Sequence, residues 1–359
     1  MAKEKKEKSE KDNAKALPEF IGVDVGTAMT KVTRVSWDGN SPRLEEAFSF
    51  KTGANDLRTD DAAGRAALAN TIKDALKGAK TKVTKTVIAL PESTVFNRLL
   101  TFPKLSEGEL DNAIHWNAKQ FLPIPVDEVK MDWIQTAEIE QDGKQMVQLL
   151  VVAAPKRIID QSLNIFNEAG LELIAIETEA VATSRAIANA YPVDAPILVV
   201  DIGSSGTDLS VLVKKKLIFS QSLATGSDAF DKALISQFKI DSAQAEQYKS
   251  KTGITQEGDG QIAATLAPVV KVILDELVKT INYFRTKYQQ STPQSVKLIG
   301  SGARMPGMPQ YLSQGLGIPV ELADLSQNLK MSKEVESEYG SASALVELGV
   351  ALGLALKRE

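Results

Sequence analysis

The pattern of apolar and polar positions near the start of the chain predicts a buried strand followed by an antiparallel meander. The segment "FIGVDVG" from Phe20 is an apolar run that ends at a glycine turn, and two further strand-like segments follow, of which "RLEEAFSFK" alternates apolar and polar residues. The layout recurs beyond Pro196, in "ILVVDIGSSGTDLSVLVKKKLIFSQSL". Repetition of one supersecondary unit predicts an α/β chain with two related lobes.

Helical periodicity predicts the elements between these strands. A helix is expected over about 62–76 with Gly78 as its stop signal, and a long helix over about 267–288. Another helix opens with Ser106 and Glu109 at capping-box spacing and stops before two prolines near 123–125. Two strands joined by a turn at Asp142-Gly143 follow it. These segments from 91 to 165 therefore look like a separate unit inserted into the first lobe.

The amino-acid composition excludes several kinds of functional site and partner. The 359 residues include no cysteine and one histidine, and the net charge is −4. Disulfides, thiolate nucleophiles and cysteine-ligated zinc are excluded, and a lone His115 is not a persuasive metal site. Nothing in the charge balance favours nucleic acid. No stretch approaches the roughly 20 apolar residues of a membrane span, and no apolar segment follows the first lysines, so a cytoplasmic protein is expected.

The charged segment 1–18 cannot bury enough apolar surface to offset chain entropy, so a disordered tail is expected there. A basic contact with a membrane surface is the alternative, but interleaved glutamates weaken it.

An Asp-x-Gly motif follows the first strand of each predicted lobe. The glycine permits a tight turn with close backbone approach, and small residues after it leave amides and hydroxyls free to cradle phosphate oxygens. The candidate phosphate ligands are Gly26, Thr27, Ala28 and Lys31 in the first motif, and Gly203, Ser204, Ser205 and Thr207 in the second. Asp24 and Asp201 together can hold a hydrated Mg²⁺ through its waters. One such turn is ordinary hairpin chemistry, whereas two copies, each opening a meander, are specific.

Three weaker features lie downstream of the first motif. A glycine-rich turn follows the apolar strand "VKLI" and is formed by Gly300, Ser301, Gly302 and Ala303. Glu246 and Lys249 lie one helical turn apart, which is also the spacing of a solvated ion pair. Glu179 precedes a helical segment, where the helix dipole alone would favour a carboxylate.

The doubled motif resembles the two phosphate loops of the superfamily that unites actin, heat-shock chaperone ATPases and sugar kinases. The resemblance implies the actin-like ATPase fold, with a mixed five-stranded sheet in each lobe and ATP or ADP with Mg²⁺ in the cleft. It also implies adenosine contacts from the 300–303 turn and from Glu246 and Lys249, and nucleotide contacts from Gly226 and Ser227. Glu179 matches the glutamate that orients the attacking water, but Ala180 replaces the usual proline, and a serine replaces the second glycine at 227.

The inserted unit resembles the extra subdomain, called 1C, of the PilM family of cytoplasmic type IV pilus assembly proteins. The matching residues are Trp116, Gln120, Phe121, Leu122, Pro123, Pro125, Asp127, Glu128 and Val129, while Lys119 departs from the family's usual acidic residue. The implied layout is lobe 1 (subdomain 1A) at 19–90 and 166–196, subdomain 1C at 91–165, subdomain 2A at 197–225 and 294–359, and subdomain 2B at 226–293.

The PilM resemblance implies binding of the N-terminal cytoplasmic tail of a PilN-type bitopic membrane protein, in a groove between 1A and 1C. It also implies a link to the pilus motor ATPase or a platform protein, and peripheral association with the inner membrane. Three alternatives stay open at this point. The chain is a nucleotide-dependent scaffold, an active ATPase of a pilus or related secretion platform, or a polymerising protein like FtsA, which shares 1C but usually ends in a membrane-targeting helix.

Overall fold

A computed structural model describes residues 19–79, 81–141, 143–191, 194–255, 260–288 and 291–358. The predicted disordered tail and residue 142 of the predicted turn lie outside these residues. Within the described part, no helix combines the length and apolarity needed to cross a membrane.

The strands follow the sequence pattern closely. They are β1 (Ile21–Val25), β2 (Met29–Asp38), β3 (Ser41–Lys51), β4 (Lys85–Leu90), β5 (Phe96–Pro103), β6 (Val129–Gln141), β7 (Lys144–Pro155), β8 (Glu172–Thr178), β9 (Ile197–Ile202), β10 (Thr207–Val213), β11 (Lys216–Leu223), β12 (Ser295–Ile299), β13 (Val320–Leu322) and β14 (Lys330–Met331).

The helices cover or connect these strands. They are α1 (Ala62–Ala79), α2 (Glu107–Ala118), α3 (Lys156–Glu168), α4 (Glu179–Ala190), α5 (Ser227–Phe238), α6 (Ser242–Lys251), α7 (Gln261–Lys287), α8 (Met308–Leu316), α9 (Lys333–Tyr339), α10 (Ala342–Leu345) and α11 (Gly349–Ala355). Short 3₁₀ turns at Glu92–Thr94 and Ser301–Arg304 border the cleft described below.

Two large sheets repeat one topology, as the doubled sequence pattern predicts. The first has the order β14-β3-β2-β1-β4-β8 and the second the order β11-β10-β9-β12-β13. In each, the first strand pairs antiparallel with its meander and parallel with the next strand of the sheet. The first sheet differs from the expected five strands by the two-residue β14, which pairs in parallel with β3.

Strands β5, β7 and β6 form a third, separate sheet, and α2 packs on it. Its small core consists of the buried residues Phe102, Leu110, Ile114, Val147, Leu149 and Val151. The capping box of Ser106 and Glu109 is present at the start of α2. The helix ends at Ala118, a few residues before Pro123, at which the sequence predicted its end. Residues 119–121 form a turn that ends the helix first.

Two helix boundaries differ from the predictions for identifiable reasons. Helix α1 continues through Gly78 to Ala79, since a glycine near a helix end costs only about 1 kcal/mol and does not stop the helix by itself. Helix α7 begins at Gln261 rather than near 267, and Pro268 lies inside it. A proline resembles a helix start because it lacks the N–H that the first turn leaves unpaired.

The last residues of the chain pack on the first sheet rather than only on the second. Helix α11 approaches β1 so closely that a Cβ at Gly22 would lie 2.6 Å from the Ala351 carbonyl oxygen. Thr33 Oγ1 donates to the same carbonyl at 2.8 Å. A buried Glu177 carboxylate also accepts from Arg185 and Lys357, at 2.9 and 2.8 Å. The C-terminal segment therefore helps to hold the two sheets on either side of one cleft.

Candidate functional site

The two Asp-x-Gly loops face each other across a cleft of about 600 Å³ between the large sheets. Thr27 Oγ1 of the first loop lies 3.3 Å from Ser205 Oγ of the second and donates to it. Twelve of the predicted site residues line the cleft: Asp24, Gly26, Thr27, Ala28, Lys31, Glu179, Asp201, Gly203, Ser204, Ser205, Gly300 and Ser301. The fold therefore brings together residues that are far apart in sequence.

The first loop is organised by the pairing of β1 with β2. Asp24 lies directly opposite Lys31 in the antiparallel register, and Lys31 Nζ donates to Asp24 Oδ2 at 3.0 Å. Thr52 Oγ1 donates to the Gly26 carbonyl at 2.7 Å and holds the turn. Burial opposes the charged form of Lys31, but Asp24 and Asp201 outweigh it and raise the pKa of the ammonium. Lys31 is thus a fixed positive charge in the wall of the cleft.

The second loop rests on the start of α5. Gly203 N–H donates to the Gly206 carbonyl, and Ser227 N–H donates to the Gly203 carbonyl, both at 2.9 Å. A Cβ at Gly226 would lie 2.4 Å from the Ser204 carbonyl oxygen and 2.6 Å from the Gly206 nitrogen, so no side chain fits there. Thr207 Oγ1 donates to the Thr225 carbonyl at 2.7 Å. Thr207, Gly226 and Ser227 thus support the loop from behind and do not line the cleft.

The glycine-rich turn after β12 packs against the end of β9. Gly300 has φ +85°, and a Cβ there would lie 2.3 Å from Asp201 Oδ1. This backbone conformation and this close approach both require glycine. Gly302 and Ala303 are buried behind the turn, against Ile202 and the core of the second lobe. Only Gly300 and Ser301 reach the cleft surface.

Glu246 and Lys249 lie on α6, outside the lining of this cleft. Lys249 Nζ is 2.6 Å from Glu246 Oε2 and 2.9 Å from Asp231 Oδ2. The Lys249 side chain is 12% exposed, whereas that of Glu246 is 60% exposed. The pair is therefore one arm of a three-residue charge cluster, and its adenosine contact stays a prediction.

Four acidic residues of the cleft lining were missed by sequence reasoning, namely Asp56, Glu92, Asp208 and Glu347, and two of them contact the predicted site residues closely. Asp208 on β10 lies opposite Asp201 in the register with β9, and Glu92 follows the apolar strand β4 after Pro91. Asp208 Oδ1 is buried and has no hydrogen-bond partner. A usable signal existed for both, because each carboxylate lies at the start or end of a strand that pairs with a motif strand.

The clustered carboxyl groups shift one another's proton affinity. Burial, followed by repulsion from Asp208, raises the pKa of Asp201 to about 7. Burial likewise raises the pKa of Asp208 to about 7, although a hydrogen bond from Ser222 opposes the rise. Burial and the charge of Asp208 raise the pKa of Glu179 well above its ordinary value. Because the two carboxyl groups interact with each other in this way, we expect Glu179 and Asp208 to share a proton.

Glu179 is held by a reciprocal contact between two backbone turns. Its Oε2 accepts from the Glu92 N–H at 2.7 Å, and Glu92 Oε2 accepts from the Ala180 N–H at 3.3 Å. The Thr178 side chain caps the same helix by accepting from the Val181 N–H. Glu179 is therefore the helix-start residue of α4 and also lines the cleft, and its orientation of an attacking water stays a prediction.

The donor set of the cleft fits a hard divalent cation beside phosphates. All the acidic groups offer oxygen, and the orphaned Asp208 Oδ1 is a buried acceptor that a hydrated ion would satisfy. Among the described residues, no three acidic or histidine side chains are close enough to ligate one ion directly. A Mg²⁺ held through its waters by Asp24 and Asp201, with Asp208 as a further acceptor, is compatible with both facts.

The inserted sheet also contributes to the cleft. Phe96, Asn97, Arg98 and Phe121 line its outer end, and the Arg98 guanidinium lies 5.5 Å from the centroid of the Phe121 ring. Trp116 and His115 on α2 are exposed, Trp116 by 67%. A ligand bound at this end of the cleft therefore contacts the first residues of β5, the strand by which the chain enters the inserted sheet.

The chain is similar in sequence and in overall fold to known proteins. The sequence profile described as type IV pilus assembly protein PilM matches residues 22–359. The structure titled "PilM-PilN type IV pilus biogenesis complex" matches with a TM-score of 0.81 and 28% identity, over 94% of this chain and 98% of that one. MreB5 of Spiroplasma citri bound to AMPPNP matches with a TM-score of 0.50 and 15% identity, over 93% of this chain and 94% of that one, which supports the actin-like fold alone.

A curated relative is the cell shape-determining protein MreB of Pasteurella multocida, 28% identical over 160 residues, which is 35% of this chain and 46% of that protein. The chain spans about half the length of the curated relatives it matches. These matches and the two repeated sheets confirm the actin-like α/β fold. Because the PilM profile covers nearly the whole chain, the protein belongs to the PilM family of type IV pilus assembly proteins.

Proposed function

We propose that this protein is a nucleotide-dependent scaffold of the type IV pilus assembly platform. It binds ATP or ADP with Mg²⁺ in the interlobe cleft and the N-terminal cytoplasmic tail of a PilN-type bitopic membrane protein outside it. Through that tail it lies at the cytoplasmic side of the inner membrane and connects the platform to the pilus motor ATPase or a platform protein. The observation that carries the proposal is the pair of facing phosphate loops in a cleft that the inserted sheet also lines.

The loops supply the elements that a nucleotide's phosphates need. Backbone amides and the hydroxyls of Thr27, Ser204 and Ser205 are donors, and Lys31 is a half-buried positive charge. Mg²⁺, when bound, would neutralise phosphate charge and screen the carboxylates. Because one loop belongs to each lobe, a bound nucleotide has different contacts when the lobes are open and closed, which is the condition for a population shift.

We place the PilN-type tail in the groove between lobe 1 and the inserted sheet, the location implied by the family resemblance. The match to the PilM-PilN complex over 94% of the chain supports a partner of this class. The inserted unit leaves the large apolar side chains of Trp116 and Ile134 exposed, by 67% and 41%. Exposed aromatic residues are typical anchors of protein interfaces.

Binding of the tail is expected to depend on the nucleotide. A synthetic PilN tail titrated calorimetrically into the purified protein should bind with affinities that differ by about tenfold between the ATP-loaded and nucleotide-free states, within the usual range of allosteric coupling. Trp116→Ala should weaken binding by about tenfold, because truncation of an interface aromatic costs more than about 1 kcal/mol. Val272→Ala on α7, 46% exposed in the second lobe, is the matched control and should leave the affinity unchanged. No binding of the wild-type protein to any pilus-platform tail would refute the proposal.

A second candidate function is slow ATP hydrolysis, which the position of Glu179 in the cleft favours. Phosphate release should then fall at least about tenfold in Glu179→Gln, because a water-orienting carboxylate acts on the reacting water itself. Asp201→Ala should abolish release together with nucleotide binding. If wild-type protein releases no phosphate above a protein-free blank, the scaffold acts without turnover. Sedimentation with ATP tests the FtsA-like alternative, since a polymerising protein would pellet.

A further inference from the structure

Glu92 connects three parts of the molecule that the proposed function requires to move together. It lies in the 3₁₀ turn Glu92–Thr94, between β4 of the first sheet and β5 of the inserted sheet. Its side chain is 3% exposed and lines the inner wall of the cleft. The turn that contains Glu92 is thus one of the chain connections between lobe 1 and the inserted sheet, so a rotation of the sheet at this point must change the position of the turn.

The Glu92 carboxylate accepts hydrogen bonds from all three parts. Oε2 accepts from the Ala180 N–H at the start of α4 in lobe 1, at 3.3 Å. Oε1 accepts from Asn97 Nδ2 on β5 of the inserted sheet, at 3.1 Å. The same oxygen accepts from Ser220 Oγ on β11, the edge strand of the second large sheet.

The Glu92 carboxylate depends on these hydrogen bonds because it is buried and has lost its contacts with water. A buried carboxyl group loses its hydration and is stable only while its hydrogen bonds are kept. Burial raises the pKa of Glu92, although the donors Ser220 and Ala180 oppose the rise. No arginine or lysine forms an ion pair with it among the described residues. Its hydrogen-bond donors therefore supply its stabilisation, and losing one of them is costly.

A relative movement of the lobes changes the distance between Ala180 and Ser220, on opposite sides of the carboxylate. The turn must then follow one lobe or the other, and it carries Asn97 and β5 with it. The backbone N–H of Glu92 itself donates to Glu179, which lines the cleft together with Asp208. The carboxylate thus belongs to one hydrogen-bond network with the cleft acids and with the base of the inserted sheet.

We propose that Glu92 is a positioning residue that couples the nucleotide cleft to the inserted sheet, by holding Glu179 and by making β5 follow the movement of the lobes. The inference rests on the proposed nucleotide-dependent scaffold and names the residue that transmits the change. It applies to the orientation of the inserted sheet, which can be measured without any partner tail.

The absence of cysteine allows the movement to be measured directly, because introduced cysteines are the sole labelling sites. We place spin labels at three exposed positions, Lys73→Cys on α1, Glu140→Cys on β6 and Lys271→Cys on α7. The 73–140 distance reports on the inserted sheet relative to lobe 1, and the 140–271 distance reports on it relative to the second lobe. Electron–electron distances are recorded for the full chain without nucleotide and with saturating MgATP. A domain rearrangement should change at least one distance by more than about 2 Å.

In Glu92→Gln the nucleotide-dependent distance change from β6 is expected to disappear. An amide retains the volume but has one acceptor oxygen in place of two, so either the Ala180 N–H loses its acceptor or Asn97 and Ser220 both lose theirs. Ser220→Ala, which removes only the contact from the second lobe, should reduce the change as well. Glu276→Gln, a carboxylate that accepts from Gln221 on the same strand β11 but ties it to α7 within one lobe, is the matched control and should respond like wild type.

The outcomes separate the inference from the proposed function. An equal distance change in wild type and Glu92→Gln overturns the inference, and so does a wild-type protein whose distances do not respond to MgATP. Circular dichroism of each variant shows whether it is folded, and Ser220→Ala carries the test if Glu92→Gln is not. Calorimetry of the PilN tail with the same wild-type protein tests the proposed function independently, because tail binding requires neither label nor Glu92 substitution.

Discussion

Replacing Gly226 with alanine is expected to lower the free energy of unfolding by about 3 kcal/mol and to weaken nucleotide binding by more than tenfold. The added Cβ would lie 2.4 Å from the Ser204 carbonyl oxygen and 2.6 Å from the Gly203 oxygen and the Gly206 nitrogen. All three are backbone atoms of the second phosphate loop, so no flexible side chain can move aside, and overpacking costs of this kind are typically about 1–3 kcal/mol. The loop must shift and lose the geometry that presents its amides to phosphate.

The measurement is chemical denaturation together with titration of a fluorescent ATP analogue. Gly78→Ala in α1 is the matched control, because nothing lies within 4 Å of the added Cβ. That change should leave nucleotide affinity unaltered and stabilise the protein by up to about 1 kcal/mol, since alanine loses less backbone entropy in a helix. Equal nucleotide affinities for wild type and Gly226→Ala would show that the loop conformation does not determine phosphate binding.

The nucleotide-free protein is expected to lose stability as the pH rises from about 5 to about 7. Asp201 and Asp208 have a pKa of about 7 in the folded state, against 3.8 in the unfolded chain. The folded state therefore binds more protons between these values, and its stability, complete below about pH 4, decreases until the pH passes 7. The two groups together should account for a loss on the order of 5 kcal/mol over this range.

The pH window must avoid carboxylates with the opposite behaviour. Burial opposes ionisation of Glu177, but the charges of Arg185 and Lys357 outweigh burial and lower the pKa of this carboxyl group. The stability that the ionised Glu177 contributes to the fold is therefore lost only as the pH falls below the ordinary pKa of a glutamate. Thermal unfolding is therefore measured between pH 5 and pH 8, where Glu177 stays ionised and its titration does not affect the measured stability. Asp208→Asn should flatten the profile, whereas Asp275→Asn, an exposed carboxylate paired with Lys271, should not. A wild-type stability that rises steadily over the same range would contradict the proposed repulsion.

MgATP should stabilise the protein most at the upper end of this window. Both aspartates are ionised there, and the cation relieves their repulsion as it binds. A ligand at about 100 times its dissociation constant adds about 2.7 kcal/mol to the free energy of unfolding. If the increment were instead largest at pH 5, the carboxylates would not be the cation's partners.

Much of the site could be predicted because its residues are adjacent to regular elements. Asp24 and Asp201 end apolar strands, and a residue at the end of a buried strand must face a sheet edge. Gly300 could be predicted as a turn residue from its position after an apolar strand. The roles of Gly226, Thr207 and Gly302 could not, because their importance lies in contacts behind the loops with residues that are distant in sequence.

The sequence by itself determined the repeated lobes, the order of the elements and the inserted unit, because hydrophobic periodicity and turn chemistry are local properties of the chain. Only the tertiary structure decided that Asp208 and Glu92 join Glu179 in one group of acidic residues in the cleft, and that the C-terminal strand β14 crosses to the first sheet. It also decided that the inserted sheet lines the same cleft as the two Asp-x-Gly loops. These facts depend on which distant segments come within a few ångströms, and that distance is set by the packing of the sheets.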